Sequence, residues 1–93
     1  VYSTEVEDVI YTHPAVAEAA VIGLQDEKWG EAVTACVVVK KGLSLSEAEL
    51  IAHCRGRLAA YKCPKIVSLQ PALPKSAAGK ILKHALRRSM GSH

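Results

Sequence analysis

The segment Ala32-Val33-Thr34-Ala35-Cys36-Val37-Val38-Val39 constrains the fold more than any other stretch of the chain. It is apolar almost throughout, rich in β-branched residues, and closed by the turn Lys40-Lys41-Gly42. A short continuous run of this kind reads as a strand buried on both faces rather than as an alternating, half-wet one. Such a strand needs neighbours beside it and a layer above and below it.

The rest of the sequence supplies them. Residues 17–24 read as a first strand, ended by Gly23 and the polar run Gln25-Asp26-Glu27-Lys28. A loop holding Trp29-Gly30-Glu31 would join the two strands as a long hairpin. Before them, Val6, Val9, Ile10 and His13 recur at the spacing of one helical face, predicting a helix over residues 3–13 that stops before Pro14. After them, a second helix runs to about residue 58. Its start has two candidates with capping-box spacing, Ser44 with Glu47 and Ser46 with Glu49. Residues 66–69 read as a short third strand, and residues 81–89 as a last helix with Ile81, Leu82, Ala85 and Leu86 inward. The order helix-strand-strand-helix-strand-helix describes an α+β domain: a small mixed three-stranded sheet flanked by helices. If the second and third strands pair in parallel, the helical crossover between them is right-handed.

One domain over residues 1–90 is expected, with Gly91-Ser92-His93 as an appended tail. Val1 opens in mid-pattern without an initiator Met, as expected for a piece of a longer protein. With 49% hydrophobic residues the chain is not disordered. It contains no Phe, so its layers are thin and suited to leaning on another surface. Three cysteines, Cys36, Cys54 and Cys63, form neither an even disulfide set nor a C-x-x-C zinc pair. That fits a reducing, cytoplasmic setting. No apolar stretch reaches membrane-spanning length, and no signal peptide is present.

The net charge is +3, with acid early (Glu5, Glu7, Asp8, Glu18, Asp26, Glu27) and base late (Lys75, Lys80, Lys83, Arg87, Arg88). Such asymmetry suits an anionic ligand, although on charge alone a solvated helix face is the commoner explanation. Three places could carry chemistry. Lys80 follows Ser76-Ala77-Ala78-Gly79 and is expected to open the last helix, where the dipole favours anions. Gly79 lets backbone approach a ligand. On spacing alone such a lysine is more often a surface residue, and Ile81 stands where a P-loop needs Ser or Thr. Tyr61-Lys62-Cys63-Pro64-Lys65 could stack on a base and pair with phosphates, or simply cap a helix end. Trp29, in a polar loop, is a candidate ligand contact or a local packing residue. A basic RNA-binding module is a competing reading, but the strands lack an exposed aromatic pair.

Three segments together resemble one family: Val16-Ala17-Glu18-Ala19-Ala20-Val21-Ile22-Gly23-Leu24 leading into Asp26-Glu27-Lys28-Trp29-Gly30-Glu31; Tyr61-Lys62-Cys63-Pro64-Lys65; and Leu73-Pro74-Lys75-Ser76-Ala77-Ala78-Gly79-Lys80-Ile81-Leu82. Their order and spacing resemble the C-terminal domain of the adenylate-forming enzymes, the acyl-CoA synthetases above all. The resemblance implies a mobile domain of a larger AMP-forming ligase that uses ATP and CoA as substrates, with Mg2+ bound to ATP and not by this domain. It implies that Lys80 is the adenylation lysine, on a nucleotide loop with Gly79, and that Trp29, Tyr61 and Lys65 lie towards CoA. Cys63 departs from the basic residue that some members carry there. The implied partners are an upstream N-terminal domain and a lysine acetyltransferase acting on Lys80; nucleic acid is not among them. Loading of a carrier protein instead of CoA is the alternative within the family.

Overall fold

A computed structural model describes residues 3–26 and 30–91. Three strands, β1 (Val16–Asp26), β2 (Gly30–Val39) and β3 (Ile66–Leu69), form one sheet in the order β1-β2-β3. The pairing of β1 with β2 is antiparallel and that of β2 with β3 is parallel, so the sheet is mixed as expected. Helices α1 (Ser3–Tyr11), α2 (Glu47–Arg55) and α3 (Lys83–Gly91) flank it, with a 3-10 turn at Ala60–Lys62.

β2 is central and buried on both faces: Ala35, Cys36 and Val37 are all fully inaccessible. The alternation of strand side chains then divides the interior in two. Ala19, Val21, Ala35, Val37 and Val67 face one way and pack with Val6 and Ile10 of α1 and Leu50 and Cys54 of α2. Ala20, Ile22 and Cys36 face the other way and pack with Leu73 and with Leu86 of α3. The chain is thus a three-layer sandwich with one thick cover and one thin one.

The β1–β2 ladder is longer than expected. It runs to Asp26↔Gly30, beyond the polar residues that seemed to break it, because ladder bonds join backbone groups whatever side chains they carry. Residues 27–29, Trp29 among them, lie outside the described residues. Ser46, not Ser44, caps α2: its Oγ accepts from the Glu49 N–H. Two helices end earlier than periodicity suggested. At α1, Thr12 and His13 donate to the carbonyls three residues back, a tightened turn forced by Pro14. α2 stops at Arg55, and Gly56, Arg57 and Leu58 continue as a turn on the Ala52 and Cys54 carbonyls.

β1 is an edge strand, and α1 closes its free edge. The Tyr11 hydroxyl accepts from the Ala19 N–H (2.9 Å) and lies 3.2 Å from the Ala19 carbonyl. A Glu7 carboxylate oxygen accepts from the Val21 N–H (2.8 Å). Side chains one helical turn apart therefore occupy the outward backbone groups of alternate strand residues, which would otherwise offer a template for pairing.

All three cysteines are free and buried. Burial pushes the Cys36 thiol up to about 11 and raises Cys54 as well, with nearby Cys63 adding to the shift.

Two outcomes are expected. Tyr11→Phe leaves the Ala19 edge groups to water and costs about 1 kcal/mol, read as a lower denaturant midpoint without a change in slope. The second concerns His53, whose Nε2 lies 2.7 Å from Thr12 Oγ1 and 3.2 Å from the Val9 carbonyl, with the His13 ring edge-on at 5.0 Å. Burial, and secondarily the Arg57 charge, hold this imidazole below its usual range. The unfolded chain then takes up its proton first as pH falls. The stability due to His53 is whole above about pH 6.5 and is lost as pH drops from there through the folded value. Melting curves between about pH 7 and pH 5 should fall less steeply for His53→Gln than for the parent.

Candidate functional site

Past β3 the chain turns back over the thin side of the sandwich. Leu73 enters the second core, and Ile81 packs against it from the other limb of the loop. Between them Lys75 and Ile81 form an isolated antiparallel bridge. The turn they enclose is a tight one. Ser76 N–H donates to the Lys80 carbonyl (2.8 Å), Gly79 N–H to the Ser76 carbonyl (2.9 Å), and Lys80 N–H to Ser76 Oγ (3.3 Å). Gly79 has φ +84°, in the left-handed region that glycine reaches without strain. A three-residue hairpin loop with glycine last matches this arrangement.

This corrects the expected position of Lys80. It does not open the last helix. Ile81 is occupied by the bridge and Leu82 N–H by the Pro74 carbonyl (2.9 Å), so α3 begins only at Lys83. Lys80 sits on the shoulder of a hairpin, three residues before the first residue of α3. It is exposed, as is Gly79.

The limbs of the hairpin are tied down by charge. Lys75 is ion-paired with Glu18 of β1, and Lys83 Nζ lies 2.7 Å from Glu7 Oε2 of α1. Of the three lysines in this segment, Lys75 and Lys83 are in ion pairs. Among the described residues Lys80 has none.

Tyr61 and Lys65 lie elsewhere. They precede β3, whereas the hairpin follows it. Lys65 N–H donates to Val33 and Gln70 N–H to Val37, so the two loops leave opposite ends of the strand. At about 3.3 Å per residue the span from Lys65 to Gln70 is roughly 16 Å. The Lys75–Glu18 pair sets the base of the Lys80 hairpin at the far end, beside the start of β1. Tyr61 is 67% exposed, which removes the reading that it only packs on a helix end. Lys62 Nζ sits 5.6 Å from its ring centroid and bonds Glu5 (2.8 Å), an ion pair that raises the lysine above its usual range. Lys65 lines a shallow pocket of about 180 Å³ with Ile51, Arg55, Ala60, Cys63 and Pro64. Tyr61 stands beside the pocket, not in its wall. Arg55 is a second cation at this pocket that sequence reasoning did not single out. Its cue was a helix end brought against the Pro64 turn, which only tertiary packing reveals.

Among the described residues no group of three or more His, Cys, Asp or Glu gathers to hold a metal ion, and no helix is long and apolar enough to cross a membrane.

Comparison with known proteins matches residues 5–80 to the AMP-binding enzyme C-terminal domain. The chain belongs to that family. It is 49% identical over 87 residues to the long-chain-fatty-acid–CoA ligase FadD13 of Mycobacterium tuberculosis, covering 94% of this chain and 17% of that protein. It is 45% identical over 95 residues to the 2-methylpropanoate–CoA ligase CCL4 of Humulus lupulus, covering 97% of this chain and 17% of that one. A solved fatty acyl CoA synthetase of Mycobacterium tuberculosis superposes with a TM-score of 0.89 at 48% identity, over 95% of this chain and 17% of its own. The amide bond synthetase McbA of Marinactinospora thermotolerans superposes at 0.91 with 38% identity, over 99% of this chain and 19% of its own. The chain therefore spans less than a fifth of the length of these relatives.

Gly79→Ala is expected to cost about 1–2 kcal/mol of backbone strain and nothing in clashes, because a Cβ there meets no atom within 4 Å. Gly42, with φ +83° and the same open surroundings, is the internal standard: Gly42→Ala should lower the unfolding midpoint by a similar amount.

Proposed function

We propose that this chain is the mobile C-terminal domain of an ATP-dependent acyl-CoA synthetase, and that Lys80 serves its adenylation step. The observation that carries this reading is the state of Lys80. Among the described residues it is an exposed lysine in no ion pair, on a hairpin of fixed shape, between two lysines that are both paired. An ammonium displayed this way is available to an anion from outside the domain.

In the proposed reaction a substrate carboxylate attacks the α-phosphorus of ATP. The bond to the bridging oxygen of pyrophosphate breaks, and acyl-AMP forms. Negative charge collects on the transferring group, and the Lys80 ammonium offsets it. Mg2+ arrives with ATP. The thiol of CoA then attacks the acyl carbon and AMP leaves. Tyr61 stacks its exposed ring on the adenine of CoA, Lys65 meets a phosphate with Arg55 beside it, and the family resemblance assigns Trp29 to CoA as well. The separation of the two loops supports a domain that rotates between half-reactions, offering its Lys80 end first and its Tyr61 end second. The acceptor is read as CoA because relatives are named CoA ligases. Loading of a carrier-protein thiol is the second reading, since one structural relative is named an amide bond synthetase and not a CoA ligase, so the acceptor is not fixed by the fold.

The upstream N-terminal domain is the obligate partner, since ATP and acyl pockets lie there in this reading. Lys80 is exposed enough for a lysine acetyltransferase, and acetylation would remove its charge and silence adenylation. Buried free thiols suit a cytoplasmic enzyme.

The test is carboxylate-dependent ATP–pyrophosphate exchange by the full-length enzyme, offered short, long and aromatic acids. Lys80→Ala should reduce exchange by roughly 10²–10³-fold. Equal exchange by parent and variant would remove Lys80 from the step, and no exchange with any acid would count against the synthetase reading.

A further inference from the structure

The hydrogen bonds within the 76–80 turn fix its internal shape, but they do not aim it. Its base is closed by the Lys75↔Ile81 bridge and by the Leu82 N–H on the Pro74 carbonyl, and neither contact ties the limbs to the charged groups of β1 and α1. What aims it is the pair of contacts on its two limbs. On the incoming limb Lys75 is ion-paired with Glu18, and on the outgoing limb Lys83 is ion-paired with Glu7. Glu18 stands on β1 opposite Val38 of β2. Glu7 is held in turn: the oxygen that meets Lys83 also accepts the Val21 N–H, so its carboxylate is fixed to the edge of the same strand. Both anchors refer the hairpin to β1.

We propose that Glu18 and Glu7 are positioning residues for Lys80, clamping the hairpin through Lys75 and Lys83 so that the free ammonium is presented at a fixed angle to the sheet. This rests on the adenylation reading of Lys80 given above. The clamp works locally. Both pairs are partly exposed, with side-chain exposures of 39% and 27% for Lys75 and Glu18 and 34% and 16% for Lys83 and Glu7. Ion pairs this wet contribute little to global stability. The apolar anchors Leu73, Ile81 and Leu86 hold the limbs on the second core without them. Losing the carboxylate charges therefore loosens the aim of Lys80 while the fold persists, and transition-state stabilisation is steeply sensitive to position. The same two pairs also explain why this segment carries three lysines of which, among the described residues, one is in no ion pair: the other two hold the hairpin.

The experiment uses the full-length synthetase with Glu18→Gln, Glu7→Gln, the double variant, and Lys80→Ala as the control. Glutamine at position 7 keeps an oxygen that can accept from Val21, so the strand edge stays closed and only the ion pair is lost. Three quantities are read: ATP–pyrophosphate exchange, thioester formation from isolated acyl-adenylate and CoA, and the melting temperature. The double variant should lower kcat for exchange by roughly 10-fold, within the range that misplacement of a reacting group produces. Its KM for ATP, its thioester half-reaction and its melting temperature should be close to the parent's. If Lys80→Ala abolishes exchange while the double variant exchanges normally, the clamp is overturned and the role of Lys80 stands. If the double variant loses both half-reactions together with thermal stability, the carboxylates are structural and the clamp is again overturned. If Lys80→Ala leaves exchange intact, the adenylation reading itself fails, and the clamp falls with it.

Discussion

The whole domain follows from the burial of β2 on both faces. A strand with Ala35, Cys36 and Val37 fully inaccessible cannot lie at a surface, so the chain must build a layer on each side of it. On one side α1 and α2 do this with long apolar side chains. On the other side only α3 and a loop remain, and the loop has to supply Leu73 and Ile81 to finish the cover. The hairpin that carries Lys80 lies between those two residues. Its place is thus a by-product of core packing: two apolar anchors seal the thin face, and the residues between them are pushed out to solvent. Residues at the reach of a rigid scaffold, rather than within it, are where function is usually placed.

Closure of the β1 edge by α1 links this packing to the hairpin. Tyr11 and Glu7 satisfy backbone groups of the edge strand, and Glu7 passes on to Lys83. One carboxylate thereby joins helix, strand and the root of α3. A backbone N–H and an ammonium sharing one oxygen satisfy the anion from two directions.

Much of this was legible in the sequence. The apolar run Ala32–Val39 announced a two-faced strand, and residues 66–69 gave β3 without error. Hydrophobic period and turn chemistry are local signals, and they served where structure was locally determined. They failed where a distant partner decided. Ile81 and Leu82 have helical spacing, yet the bridge to Lys75 and the Pro74 carbonyl hold them in extended backbone. The polar residues near Asp26 looked like a strand end, but ladder bonds ignore side-chain polarity. The two possible caps of α2 could not be ranked, since both had the right spacing; only the Ser46 side chain engages Glu49. At the candidate site, Lys80, Gly79, Tyr61 and Lys65 stood out through their motif. Arg55, Glu7 and Glu18 did not, because their significance lies in pairs and walls formed by folding.

The interior position of the cysteines has a consequence for the chemistry proposed. An enzyme whose co-substrate is a thiol works in constant contact with free sulfhydryls and their mixed disulfides. Exchange with them proceeds through the thiolate, and a thiol pushed up to about 11, as Cys36 is, holds only about one part in 10⁴ in that form at neutral pH. Cys54 is shifted in the same direction, and Cys63 is buried at the wall of the pocket beside Lys65. In the reading proposed above, Cys36 and Cys54 would therefore stay protonated, and so slow to exchange, while the domain works beside a reactive thiol.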